Sequence, residues 1–220
     1  MLSDGFVLLL GVGLRGPHQF CGVNQTDGAD CPNCNKPLLQ LVAFDTHDSN
    51  LASLKHSSSL DRIPLLWCWT CDILRGPLVY QLQDRGRQAQ LLEFNRGHLQ
   101  PKTPYPDYPT HFPGVEAALE EIPTAISSQV RSLNRREIRL SSVDKEQWAA
   151  PRHQIGGEPF FCGGLPGTRA CPRCAVEMEL LGSVANRCTD PRGFAGDPFV
   201  QLLFWVCLAC RILRGEQDLE

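Results

Sequence analysis

Eight of the eleven cysteines fall into four Cys-x-x-Cys pairs: Cys31/Cys34, Cys68/Cys71, Cys171/Cys174 and Cys207/Cys210. A Cys-x-x-Cys turn aims two sulfurs at one point, and two such turns supply the four soft ligands of a tetrahedral zinc site. The pairs come in matched sets. Cys31-Pro32-Asn33-Cys34 reappears as Cys171-Pro172-Arg173-Cys174, and the run from Cys68 to Arg75-Gly76 reappears as Cys207 to Arg214-Gly215. Ahead of each set stands a third related block, His18-Gln19-Phe20-Cys21-Gly22 and His153-Gln154-Ile155-Gly156-Gly157. The blocks keep one order, and 33 residues separate Cys34 from Cys68 where 32 separate Cys174 from Cys207. The chain is a tandem duplication, with units over 18–82 and 153–217.

The elements that position these cysteines read as strands. Leu38–Phe44 and Met178–Val184 follow the first pair of each set, while Ile63–Trp67 and Phe199–Val206 precede the second. All are short, apolar runs bounded by turn residues. If the two strands of a unit are antiparallel, the start of one lies beside the end of the other, and the two pairs meet at one edge of the sheet. Two closed four-cysteine sites follow, one from Cys31, Cys34, Cys68 and Cys71 and one from Cys171, Cys174, Cys207 and Cys210. Four thiolates leave no open position, so these zinc sites are expected to be structural, pinning the long loops 45–62 and 185–198. Iron accepts the same geometry.

Other uses of the same residues fit less well. Trp67-Cys68-Trp69-Thr70-Cys71 is superficially like a redox Trp-Cys-x-x-Cys, but that chemistry needs a helix opening on the first cysteine, and Gly76-Pro77 breaks the chain. Disulfides would use eight thiols but conflict with a reducing cytoplasm. Gly11-Val12-Gly13-Leu14-Arg15-Gly16 spells a dinucleotide fingerprint, yet Pro17 and the turn at Cys31 leave no room for its helix. Cys21, Cys162 and Cys188 remain unassigned. A thiol enzyme would need Cys162 beside His153 or His111, and an inert buried thiol is the simpler expectation. His18 and His153 stand at equivalent places and are expected to share a structural job, a hydrogen bond anchoring the Gly turn.

Elsewhere Phe6–Leu10 reads as a buried strand rather than a signal-peptide core, because Asp4 stands where a positive n-region belongs. Leu78–Leu82 is a further strand whose counterpart in the second unit is missing or supplied otherwise. His98–Gly114, with five prolines and three aromatics, is an extended strap packed across the surface. Val115, Leu119, Ile122, Ile126, Val130 and Leu133 trace one helical face, kinked or split at Pro123, with Glu116, Glu120 and Glu121 early and Arg131, Arg135 and Arg136 late. Twenty-one basic against 24 acidic residues, a net charge of −3, give no bulk positive field for nucleic acid, and no apolar run reaches membrane-spanning length.

The residues His153-Gln154-Ile155-Gly156-Gly157-Glu158-Pro159, then Cys171-Pro172-Arg173-Cys174, an apolar strand, and an aromatic strand ending at Cys207 and Cys210 resemble two related groups. One is the bacterial YwqG-like family, with its Lys/His-x-Gly-Gly-x-Pro turn. The other is the eukaryotic programmed-cell-death-protein-2 family, which adds paired zinc-type cysteines. The first unit departs from the turn at Cys21 and Asn24. The resemblance implies a β-rich pseudo-symmetric fold and, for the eukaryotic relatives, a dedicated chaperone role for a ribosomal protein. It carries over no catalytic residues.

The expectation is an α+β, β-rich cytoplasmic protein: a zinc-pinned β unit over 1–84, a strap and helix over 85–150, and a second unit over 151–220. Its function is expected to be protein interaction, as an adaptor or dedicated chaperone gripping an extended segment of a protein partner. The alternative is a zinc-ribbon RNA-binding protein using Arg131, Arg135, Arg136 and Arg139, with Trp69 or Tyr105 as stacking surfaces.

Overall fold

The runs flanking the cysteine pairs are strands, and their residue types explain why. β3 (Leu39–Asp45), β4 (Arg62–Trp67), β9 (Glu179–Ala185) and β10 (Gln201–Cys207) are rich in Leu, Val, Phe and Trp and are almost wholly buried. In a computed structural model that describes residues 5–11, 13–71, 77–94, 107–138, 152–188, 193–194 and 200–218, they belong to a single antiparallel sheet of 11 strands. The others are β1 (Phe6–Leu10), β2 (His18–Phe20), β5 (Leu78–Gln83), β6 (Gln88–Phe94), β7 (Val115–Glu121), β8 (Gln154–Ile155) and β11 (Ile212–Asp218). Two short helices, α1 (Ala52–Ser58) and α2 (Thr124–Asn134), complete the elements. No helix among the described residues is long and apolar enough to cross a membrane.

The strand order is β4-β3-β2-β7-β1-β8-β9-β10-β11-β5-β6. Its first eight members are symmetric about the β7–β1 boundary. Phe20 pairs with Val115 in one half as Ile155 pairs with Phe6 in the other, and Leu9 faces Ala118 at the centre. The duplication therefore extends to β1 and β7, and each copy's first strand lies against the other copy's second strand. β5 and β11 pair with each other as well, Leu78 opposite Gly215 through Gln81 opposite Ile212, so the strand after the second cysteine pair exists in both copies.

The sheet curls until β5 meets β4. The Tyr80 hydroxyl donates to the Pro64 carbonyl at 2.9 Å and accepts from the Leu66 amide at 3.1 Å, joining β5 to β4. At the same seam Gly86 lies so close to the Arg62 carbonyl that an added Cβ would overlap it at 2.1 Å. The main core lies inside this curl and draws on both copies, including Phe20, Phe44, Trp67, Tyr80 and Phe204. β10 is buried on both faces, and its alternation divides two cores. Leu202, Phe204 and Val206 join the main one, while Leu203, Trp205 and Cys207 join a smaller cluster with Phe161, Cys171 and Met178.

Several expectations need correction. The helical face from Val115 to Leu133 holds only from Thr124 onward; residues 115–121 are a strand. Pro123 has no amide hydrogen and ends one element as it starts the next. Upstream of it, pairing on both sides with β1 and β2 overrides the helical spacing, and Ala117 becomes wholly buried. Glu116, Glu120 and Glu121 are thus strand residues, not helix N-terminal charges. β1 is the expected strand, but only Phe6 and Leu8 are buried, whereas Leu9 and Leu10 are exposed. The loop 45–62 contains α1, capped through a short 3-10 turn by Asp48 and anchored by Leu51 and Leu54. Of the strap, 107–114 is described: Phe112 is buried, with Tyr108 and Phe194 edge-on to its ring.

Candidate metal centres

Each cysteine pair sits on a turn that its own backbone holds. The Cys31 amide donates to the Lys36 carbonyl and the Asn35 amide to the Cys31 carbonyl; Cys171 with Val176, and Ala175 with Cys171, repeat the pattern within 0.1 Å. Single bridges, Asp30 with Pro37 and Ala170 with Glu177, close the base of each knuckle. Both turns exit through left-handed backbone, at Asn35 (φ 55°) and Ala175 (φ 60°). Asn tolerates that region, whereas Ala is held there against its preference.

Antiparallel pairing of β3 with β4, and of β9 with β10, brings these knuckles to the second cysteine pairs. Cys31, Cys34, Cys68 and Cys71 form one cluster and Cys171, Cys174, Cys207 and Cys210 another, the four sulfurs in each lying within 4.8 Å of one another. Sulfur separations are 3.7 Å for Cys31–Cys71, 3.9 Å for Cys34–Cys68 and 3.7 Å for Cys174–Cys207. A tetrahedron with metal–sulfur bonds of about 2.3 Å has edges of about 3.8 Å, so both sets fit a metal ion. None of the eleven cysteines is joined in a disulfide.

The surroundings divide the thiols of each set, lowering Cys31, Cys71 and Cys174 and raising Cys34, Cys68, Cys207 and Cys210. A thiol hydrogen bond from Cys68 pulls Cys31 down to about 7 and Cys71 to about 5, and Asn33 Nδ2 adds a 3.2 Å bond to Cys71 Sγ. Those same thiol bonds push Cys68 up, while burial pushes Cys34 up to about 12. In the second set the Val176 amide pulls Cys174 down to about 7, and burial raises Cys207 to about 12. Sequence reasoning overlooked Asn33, although an amide side chain between two ligands was there to be read.

The two sets differ in cover. Cys31, Cys68 and Cys71 are buried and Cys34 is half-buried. In the second set Cys174 is exposed and Cys210 half-buried. Trp69 and Thr70, between the last two cysteines of the first set, are buried, while Ala209, the counterpart of Thr70, is exposed in the second.

The shared role expected of His18 and His153 does not hold. His18 bonds to Asp48 Oδ2 at 3.0 Å and accepts from the Asp45 amide at 3.0 Å, fixing the start of the 45–62 loop. The second copy has Ala185 and Cys188 at those places, and both ring nitrogens of His153 are shut away without a hydrogen-bond partner. The Gly turns are anchored instead by backbone, Cys21 to Leu41 and Gly156 to Leu181, and by the side chains of Gln40 and Gln154. Cys21 takes φ 57° in place of a glycine, matching Gly156 at φ 69°.

Among the described residues no thiol–imidazole pair forms at His153, and the His111 ring lies 3.4 Å from Thr110 Oγ1. The Cys162 amide, with that of Gly163, donates to Asp218; Cys188 packs at the core margin. Arg131, Arg135 and Arg136 are exposed at the end of α2. Trp69 is only 3% exposed and offers no stacking face. Tyr105, Arg139 and the repeat segment 72–76 lie outside the described residues. No family model, curated protein or solved structure matches this chain.

Proposed function

We propose that the protein is a zinc-stabilised interaction module whose two metal centres hold the shape of a sheet that receives an extended segment of a partner protein. The observation that carries the metal half of this reading is the pair of all-sulfur clusters with tetrahedral edge lengths. Four thiolates suit a soft, redox-inert cation and leave no position for substrate, which favours zinc in a structural role.

The interaction half rests on the sheet's terminal strand. Among the described residues β6 pairs with β5 alone, apart from a single bridge between Gln88 and Asp27. Its register skips Leu92, which is 42% exposed. A strand at the end of the sheet's order with an exposed apolar side chain is suited to strand addition. The chaperone-type role that the sequence resemblance implies would use such an edge to hold its partner.

Elemental analysis of the purified full chain tests the first half: two zinc per chain supports it, and a metal-free chain with accessible thiols removes it. Affinity purification with the native protein beside a Gln90→Lys/Leu92→Lys variant tests the second. A stoichiometric partner recovered by the native chain and lost from the variant supports edge addition. Equal recovery by both removes it.

A further inference from the structure

We infer that the two centres have diverged, the first holding its metal permanently and the second exchanging its metal with thiol-bearing ligands through Cys174. This rests on the metal reading above and assigns the second centre an activity of its own.

Three observations separate the sets. The first is access: Pro32, Asn33, Cys34 and Lys36 of the first knuckle are half-buried and three of its set's four cysteines are buried, whereas Pro172, Arg173, Cys174 and Val176 are all exposed. Replacing a ligand on a tetrahedral ion requires a fifth ligand to approach, and the second set leaves that path open. A further difference is sulfur hydrogen bonding. Asn33 donates to Cys71 Sγ, which draws charge from that sulfur and orients it; its counterpart Arg173 makes no such bond among the described residues. The last is backbone preference. The first knuckle leaves through Asn35 and the second through Ala175, so the turn that presents Cys174 is the less favourable of the two.

The exchange step is simple to write. A thiolate from solution approaches on the Cys174 side, a new metal–sulfur bond forms, and the metal–Cys174 bond breaks. Cys174 departs as a thiolate and takes a proton from water. No electron changes hands. Repetition at Cys210, Cys207 and Cys171 transfers the ion, and the reverse sequence loads it.

The test uses the full chain carrying two zinc ions, challenged with a chromophoric zinc chelator in the presence and absence of glutathione. Release is expected in two phases of one ion per chain, the faster by at least about tenfold. Glutathione should accelerate the fast phase alone. Alkylation with iodoacetamide during that phase, read by peptide mass spectrometry, should mark Cys174 and its three partners while sparing Cys31, Cys34, Cys68 and Cys71. Release of both ions at one rate, a fast phase indifferent to glutathione, or first labelling at the buried set overturns the inference while leaving the metal reading standing. A chain that binds no zinc overturns both.

Discussion

Replacing His153 with leucine should flatten the acid side of the protein's stability profile. The His153 ring packs on Phe20 with centroids 4.6 Å apart, and neither nitrogen has a partner. Burial, with Arg187 adding repulsion, lowers its pKa from 6.5 to about 4. The folded value lies below the unfolded one, so the fold favours the neutral ring. That contribution is complete above pH 6.5 and drains away as the pH falls toward 4. Weighing the two protonation equilibria gives a loss of about 2 kcal/mol at pH 5 and about 3 kcal/mol at the acid limit. The residue's rim reaches solvent, which makes these upper values. Denaturant titrations of native chain and His153→Leu at pH 8 and pH 5, both metal-loaded, isolate the histidine, because protonation of the cysteine ligands is common to both. The native chain should lose about 2 kcal/mol more than the variant over that interval. Parallel losses would refute the claim that His153 is held neutral by its burial.

Two further outcomes follow from the sheet. Tyr80→Phe removes both hydrogen bonds of the seam between β5 and β4 and leaves a buried amide and carbonyl unpaired; a loss of about 1–3 kcal/mol in denaturant titration is expected, and a change under about 0.5 kcal/mol would show the seam to be energetically idle. Two fragments divided between Phe94 and Asp107 should stay together, since β1–β7, β1–β8, β2–β7 and β5–β11 all join one half to the other. Size-exclusion chromatography should show the cut chain at its uncut size, and dissociation in native buffer would contradict the exchange of strands.

What could be read from sequence was what repeats with chemical identity. The cysteine quartets, the flanking strands β3, β4, β9 and β10, and the meeting of the pairs at the ends of antiparallel strands all follow from spacing and alternation. β1 and β7 escaped as equivalents because Phe6-Val7-Leu8-Leu9-Leu10 and Val115-Glu116-Ala117-Ala118-Leu119 share position but almost no residues. The 115–121 stretch satisfied a helical period by chance of spacing, and only its two flanking strands decide the matter. The divergence of His18 from His153 lay in Asp48, thirty residues away, which a local reading does not link to the imidazole. The unequal cover of the two centres comes from Trp69 and the main core, a property of packing rather than spacing.

The exchange of first strands also has a cost in time. β1 cannot complete its pairing until β7 and β8 exist, and Phe6 to Ile155 spans 149 positions. At ribosomal rates of about 5–20 residues per second that is roughly 7–30 s during which Phe6-Val7-Leu8-Leu9-Leu10 lacks at least one of its two flanking strands. The first cysteine quartet is fully translated long before then. Until β7 emerges, a nascent chain can therefore carry a fully translated cysteine quartet and one orphaned apolar strand, the state in which a growing polypeptide most needs shielding from its neighbours.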